Sequence, residues 1–161
     1  MLSGRFLESR RGNKLILVLV DQFTKWMECY PIPDQTAEVV CRDIVDNSIS
    51  RFGIPQQIHS DQGRNFESGL FQQLCKLLEI TKTRTTPYRP SSNGQVERYN
   101  RTVRCYVDGR QREWDEYLSI LSMAIRNTVS QTTGFTPNFM VLGRAISTIN
   151  PTPKEMAEYL Q

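Results

Sequence analysis

Residues 14–32, KLILVLVDQFTKWMECYPI, decide the fold. LILVLV is a continuous apolar run rich in branched side chains, bounded by RRGN before it and a polar turn after it. Its length and composition predict a strand buried on both faces, as in a sheet with helices on either side. KWMECYPI alternates enough to be the next strand, and the short DQFT between them predicts a hairpin. Asp21 belongs to that turn, where aspartates are common, and receives no catalytic role.

Downstream the period changes. Ala37, Val40, Cys41, Ile44, Val45 and Ser48 recur at three and four, predicting an amphipathic helix that stops before FGIP. QQIHSD is a short strand closing on Asp61. After the turn QGRN, residues Leu70, Phe71, Leu74, Leu77 and Leu78 mark a second helix, and ITKTRT is an edge strand. TPYRPSSNG, with its prolines and glycine, is a loop. Ser92 followed by Gln95 is a capping-box pair that starts a helix near Asn93, and Gly109 is expected to end it. Val96, Tyr99, Val103, Tyr106 and Val107 form its buried stripe; Glu97, Arg101, Arg104 and Asp108 lie on another face. A further helix carries Trp114, Leu118, Leu121 and Ile125, and TTGFTPNFMVLGR is expected to be turn-rich. Strand, strand, helix, strand, helix, strand, helix, helix predicts an α/β domain with a mixed sheet.

Composition agrees. The chain has 161 residues, 39% apolar and 23% charged, enough for one core and too few for two comfortable ones. Twenty Lys+Arg against 17 Asp+Glu give +3, a mildly basic balance compatible with nucleic acid. No apolar run approaches a membrane span, and no secretory leader pattern opens the chain. The four cysteines, Cys29, Cys41, Cys75 and Cys105, are widely spaced and are expected to be reduced and mostly buried, in a nuclear or cytoplasmic setting. His59 is the only histidine, which excludes a His/Cys zinc module; a local hydrogen bond at a strand end is its expected role.

Two carboxylates stand out. Asp61 closes a strand, where ligands gather in open α/β sheets. Glu97 opens a helix among arginines; its bland role is an i,i+4 ion pair with Arg101 worth a few tenths of a kcal/mol. Brought together, two carboxylates need a cation between them, and Mg²⁺ suits oxygen ligands beside phosphate.

The stretches RRGNKLILVLVDQFTKWMECYPI, RFGIPQQIHSDQGRNF, TTPYRPSSNGQVERYNR and TTGFTPNFMVLGR together resemble the integrase catalytic core of gypsy-type LTR retrotransposons and, more distantly, of retroviruses. The resemblance covers a core over residues 1–145, leaving 146–161 as a tail. It implies a ribonuclease-H-like mixed sheet with flanking helices, Mg²⁺ or Mn²⁺ as cofactor, DNA as substrate, and self-association. The implied activity is trimming of element DNA ends and joining of their 3′-hydroxyls to target DNA. The second and last catalytic acids fall on Asp61 and Glu97. Arg89, Asn93, Gln95, Arg101 and Arg104 fall on positions near DNA, with Arg89 replacing the usual histidine.

The family's first catalytic Asp falls on Met1, so the first strand is expected to be truncated and catalysis impaired. A non-enzymatic DNA-binding or protein-binding remnant is the alternative. A hydrolytic nuclease such as a ribonuclease H is disfavoured by a glutamate on a late helix after SSNGQ.

Overall fold

The computed structural model describes residues 2–4, 6–85, 94–107 and 112–146. Strands β1 (Leu2–Ser3), β2 (Leu15–Val20) and β3 (Met27–Ile32) form an antiparallel sheet in that order. The predicted hairpin is present: β2 and β3 pair from Leu15↔Ile32 to Val20↔Met27. Asp21 is the turn residue expected of it, its carboxylate accepting from the Thr24 backbone at 2.8 Å.

Next come α1 (Ala37–Asp43), a π-helical stretch (Ile44–Ile49) and α2 (Ser50–Phe52), which run together as the predicted first helix. Thr36 caps its start by accepting from Val39 N, and Gly53 ends it at φ 84°. Strands β4 (Gln57–Ser60) and β5 (Thr81–Arg84) pair in parallel through α3 (Gly69–Leu77). Helix α4 (Gly94–Val107), a 3₁₀ turn (Trp114–Tyr117), α5 (Leu118–Arg126) and α6 (Pro137–Leu142) complete the described elements.

β2 is buried on both faces, as its unbroken apolar run predicts. Leu15 and Leu17 enter one core with Ile32, Val40, Phe66, Phe71 and Ile80. Ile16 and Val18 enter a second with Met27, Val103, Val107, Trp114 and Leu118. Each such side chain contributes about 1.5–3 kcal/mol of burial. The apolar stripe expected on α4 is the one observed: Val96, Tyr99, Val103, Tyr106 and Val107 all join the second core.

Parallel and antiparallel neighbours are both present, but the expected single mixed sheet is two among the described residues: β1-β2-β3 and β4-β5. β1 is two residues long and spans only Leu17 and Ile16 of β2. The first core joins the two sheets instead, with Leu15 and Leu17 on one side and Phe71 and Ile80 on the other.

α6 corrects the expectation of turns over residues 132–144. Thr136 caps it by accepting from Phe139 N at 3.2 Å, Pro137 occupies its first turn, and Gly143 ends it at φ 68°. These are ordinary start and stop signals. With Pro137 and Asn138 as its buried residues, the six-residue helix shows no apolar period in the sequence. Ser92 and Gly109, the expected limits of α4, lie outside the described residues.

Cys29, Cys41 and Cys75 are buried and Cys105 is exposed, all as free thiols. Burial pushes the Cys29 thiol up to about 12 and raises Cys41 and Cys75 as well. A thiol reagent at pH 8 is therefore expected to modify Cys105 quickly and the other three only on unfolding. Mass spectrometry of the native protein checks this, and rapid labelling of all four would contradict the packing.

Candidate nucleic-acid and metal site

The site is built on the loop after β4. Ser60 is buried, and Asp61 follows it directly. The loop is fastened on several sides. Phe66 is 2% exposed and meets Phe71 edge-on, with ring centroids 5.4 Å apart. Phe66 N and Glu67 N both donate to Gly63 O, at 3.0 and 3.1 Å. Ser68 then caps α3 while donating to the Asn65 carbonyl at 2.7 Å. Lys82 and Arg84 of β5 reach back to Glu67. The hydrogen bond from Lys82, helped by both positive charges, holds the Glu67 carboxyl below the usual carboxylate range. His59 has the local role expected of it, with Nδ1 2.9 Å from Thr83 Oγ1.

Asp61 lines a cleft of ≈ 290 Å³ together with Leu2, Gln35, Gly63, Arg64 and Asn65. Leu2 belongs to β1, so the cleft opens between the ends of the two sheets. The Gly63 N–H donates to Asp61 Oδ1 at 3.1 Å, which fixes the carboxylate's orientation. A Cβ on Gly63 would lie 2.7 Å from Asn65 Oδ1 and 3.0 Å from Asp61 Oδ1. Both oxygens thus pack close against the Gly63 backbone, an approach that a residue with a side chain would obstruct. A second hollow of ≈ 420 Å³, beside Phe23 and Phe135, has Lys25 as its one charged wall residue and no carboxylate. The Asp61 cleft is the better seat for acid and metal chemistry.

Glu97 lies in the first turn of α4 and is exposed, as are Arg101 and Arg104 further along. α4 is held against β2 by Val103 and Val107, which contact Ile16 and Val18. Glu97 is not among the residues lining the Asp61 cleft, and among the described residues it forms no ion pair with Arg101. Met1, Arg89, Asn93 and the Gln95 side chain lie outside the described residues. No cluster of three or more His, Cys, Asp or Glu side chains able to hold a metal ion occurs among the described residues. No helix among them is long and apolar enough to cross a membrane.

Sequence reasoning found Asp61 but passed over Gln35, Gly63, Arg64 and Asn65. The signal available is the density of amide and glycine residues in DQGRNF, the end of one of the four family-like stretches. Asp61 is the one carboxylate lining the cleft and offers a hard cation an oxygen donor, with room beside it for water and phosphate ligands.

Residues 5–90 match the family described as integrase core domain, a span that includes Asp61 and ends before Glu97. The Gag-Pol polyprotein of avian reticuloendotheliosis virus is 44% identical over 98 residues, 61% of this chain. That of gibbon ape leukemia virus is 36% identical over 139 residues, 83% of the chain, and the match takes in 8% of the polyprotein. The Pol polyprotein of radiation murine leukemia virus is 34% identical over 153 residues, covering 92% of this chain and 26% of that protein. The chain therefore spans a small fraction of the curated relatives it matches. Among solved structures, the catalytic core domain of BIV integrase superposes with a TM-score of 0.65 at 28% identity, covering 90% of each chain. The fold is also found in a simian T-cell lymphotropic virus intasome structure, at a TM-score of 0.70 and 22% identity, over 92% of this chain and 57% of that one. The retroviral relatives and the shared mixed α/β fold match the broader half of the resemblance drawn from the motifs. With more than half of its length matched by the family, this chain belongs to the integrase core domain family.

Proposed function

We propose that this chain is the catalytic core of an integrase that trims DNA ends and joins them to target DNA, in the gypsy-type lineage that its four motif stretches resemble. The observation that carries the reading is Asp61, held by the Gly63 N–H in a cleft at the carboxyl end of β4. The same fold and 28% identity to a retroviral integrase core support it.

In this reading Asp61 and Glu97 are metal-binding carboxylates for Mg²⁺ or Mn²⁺, and Asn65 faces the same cleft. When bound, the ion supplies Lewis-acid neutralisation of the charge that develops at phosphorus. The chain's own residues supply position, which is most of what phosphoryl transfer asks of a protein. Phe66 and the Lys82–Glu67 pair hold the Asp61 loop still. Arg64 at the cleft, Arg101 and Arg104 on α4, and, by the family resemblance, Arg89, Asn93 and Gln95 bind and orient the phosphate backbone. Self-association and a nuclear or cytoplasmic site of action belong to the same proposal.

Of the family's three acids, the first falls on Met1. Strand joining by this core therefore depends on a third carboxylate beside Asp61 and Glu97, whereas DNA binding by its arginines does not. A non-enzymatic DNA-binding role fits the same observation.

The test is DNA binding to a labelled duplex end as salt is varied. Arg101→Glu with Arg104→Glu is expected to weaken binding and reduce the salt slope by about two, one per lost phosphate contact. An unchanged slope would remove α4 from the DNA interface. Mg²⁺-dependent strand transfer, measured alongside, separates the enzyme from the binding remnant.

A further inference from the structure

Thr85 is tied to the Asp61 segment from both sides. Its N–H and its Oγ1 donate to one acceptor, the Ser60 carbonyl, at 3.0 and 3.2 Å. Its own carbonyl accepts from Gln62 Nε2 at 3.0 Å. Ser60 and Gln62 are the residues before and after Asp61, so one residue brackets the acid. The β4–β5 ladder ends at Ser60↔Arg84, and the backbone bond from Thr85 extends it by itself. The hydroxyl and the Gln62 amide are additions that strand pairing does not require.

The hydroxyl is also aimed from behind. Gln57 Nε2 donates to Thr83 Oγ1 at 2.7 Å, and Thr83 Oγ1 lies 2.9 Å from His59 Nδ1. With one hydrogen to give, Thr83 donates it to Nδ1, which puts the imidazole hydrogen on Nε2. Nε2 stands 3.4 Å from Thr85 Oγ1, so that oxygen faces a donor and turns its own hydrogen to the Ser60 carbonyl. Gln57, Thr83, His59 and Thr85 share one face of the strand pair and form a directed row that ends beside Asp61. The chain leaves β5 at Thr85 and enters α4 by residue 94, with Glu97 in the first turn of that helix.

We propose that Thr85 is a positioning residue, which fixes the Asp61 segment against the point where the chain departs for α4 and so sets the spacing of Asp61 and Glu97. The inference rests on the reading of these two acids as partners in phosphoryl transfer, where placement is most of the catalysis. Thr85 acts through Ser60 and Gln62 and touches no reacting atom.

Thr85→Val keeps the shape and loses the hydroxyl; Thr85→Ser restores it. Gln62 is exposed, so Gln62→Ala removes the second tie without opening the core, and it carries the test should Thr85→Val fail to fold. Spin labels at Arg64→Cys and Arg98→Cys of the 161-residue protein, with the exposed thiol removed by Cys105→Ser, report the spacing of loop and helix by double electron–electron resonance. Circular dichroism follows folding. Thr85→Val and Gln62→Ala are expected to broaden the distance distribution, and Thr85→Ser to return it to the wild-type width. In a longer chain carrying this core and a third carboxylate, both variants are expected to lower kcat for strand transfer by about tenfold or more with KM for DNA unchanged. A wild-type distribution in both variants would overturn the proposal and leave the reading of the acids intact. A broadened distribution with wild-type kcat would overturn it too. Should Asp61→Asn and Glu97→Gln join strands like the wild type, the reading of the acids falls and this inference with it.

Discussion

Trp114→Ala is expected to destabilise the protein by about 3–5 kcal/mol, the cost of removing a large buried aromatic and leaving a cavity. Trp114 is 1% exposed and packs with Ile16, Val18, Met27, Val103 and Val107. Its ring lies 5.3 Å from that of Phe6, and its indole N–H donates to the Leu7 carbonyl at 2.7 Å. One side chain therefore holds the 3₁₀ turn, the segment before β2, and the helix that carries Glu97. The neighbouring Asp115 strengthens the same joint, accepting from Ser9 Oγ at 2.6 Å and from Asn13 Nδ2 at 2.7 Å. Set against typical stabilities of about 5–15 kcal/mol, the loss consumes much of the total. Denaturant melts with the wild type in parallel check it. Trp114→Phe keeps the packing and loses the hydrogen bond, so it is expected to cost about 1 kcal/mol. A Trp114→Ala midpoint equal to the wild type would mean that this core is not packed as described.

Gly63→Ala is expected to act chiefly on function, at a smaller cost to stability than Trp114→Ala. The added methyl would stand 2.7 Å from Asn65 Oδ1, 3.0 Å from Asp61 Oδ1 and 3.4 Å from the Phe66 ring. The two oxygens end flexible side chains and can move aside; Phe66 is fixed in the core and cannot. Overpacking of this kind costs about 1–3 kcal/mol. Once the oxygens part, the hydrogen bond from Gly63 N–H that orients the Asp61 carboxylate is distorted. A misplacement of about 1 Å at a phosphoryl-transfer centre is worth about 10²-fold in rate. Mn²⁺ affinity of the 161-residue protein, and strand transfer by a longer chain carrying this core and a third carboxylate, are therefore expected to collapse together while the fold survives. Unimpaired metal binding in Gly63→Ala would place the ion elsewhere.

The elements were legible because each carries its own local signal. The apolar run of β2, the three-four period of α1 and the stripe of α4 state which faces are buried, and the structure buries those faces. α6 was missed although Thr136, Pro137 and Gly143 mark its ends. Its packing depends on contacts from far along the chain, such as Asn138 Nδ2 to Asn127 Oδ1 at 2.7 Å, and leaves no periodic apolar face to see. The division of the sheet was likewise hidden. Pairing partners are set between stretches distant in the chain and are not a property of any local one.

By itself the sequence determined the class of fold, the candidate acids and the family, because hydrophobic period and motif order are one-dimensional properties. Tertiary structure alone decided that Asp61 shares its cleft with Leu2, Gln35, Arg64 and Asn65, and that Glu97 stands outside that lining. The reason is spatial. Leu2, Gln35 and the DQGRNF loop are far apart in the chain, and only folding brings their side chains to one cleft beside Asp61.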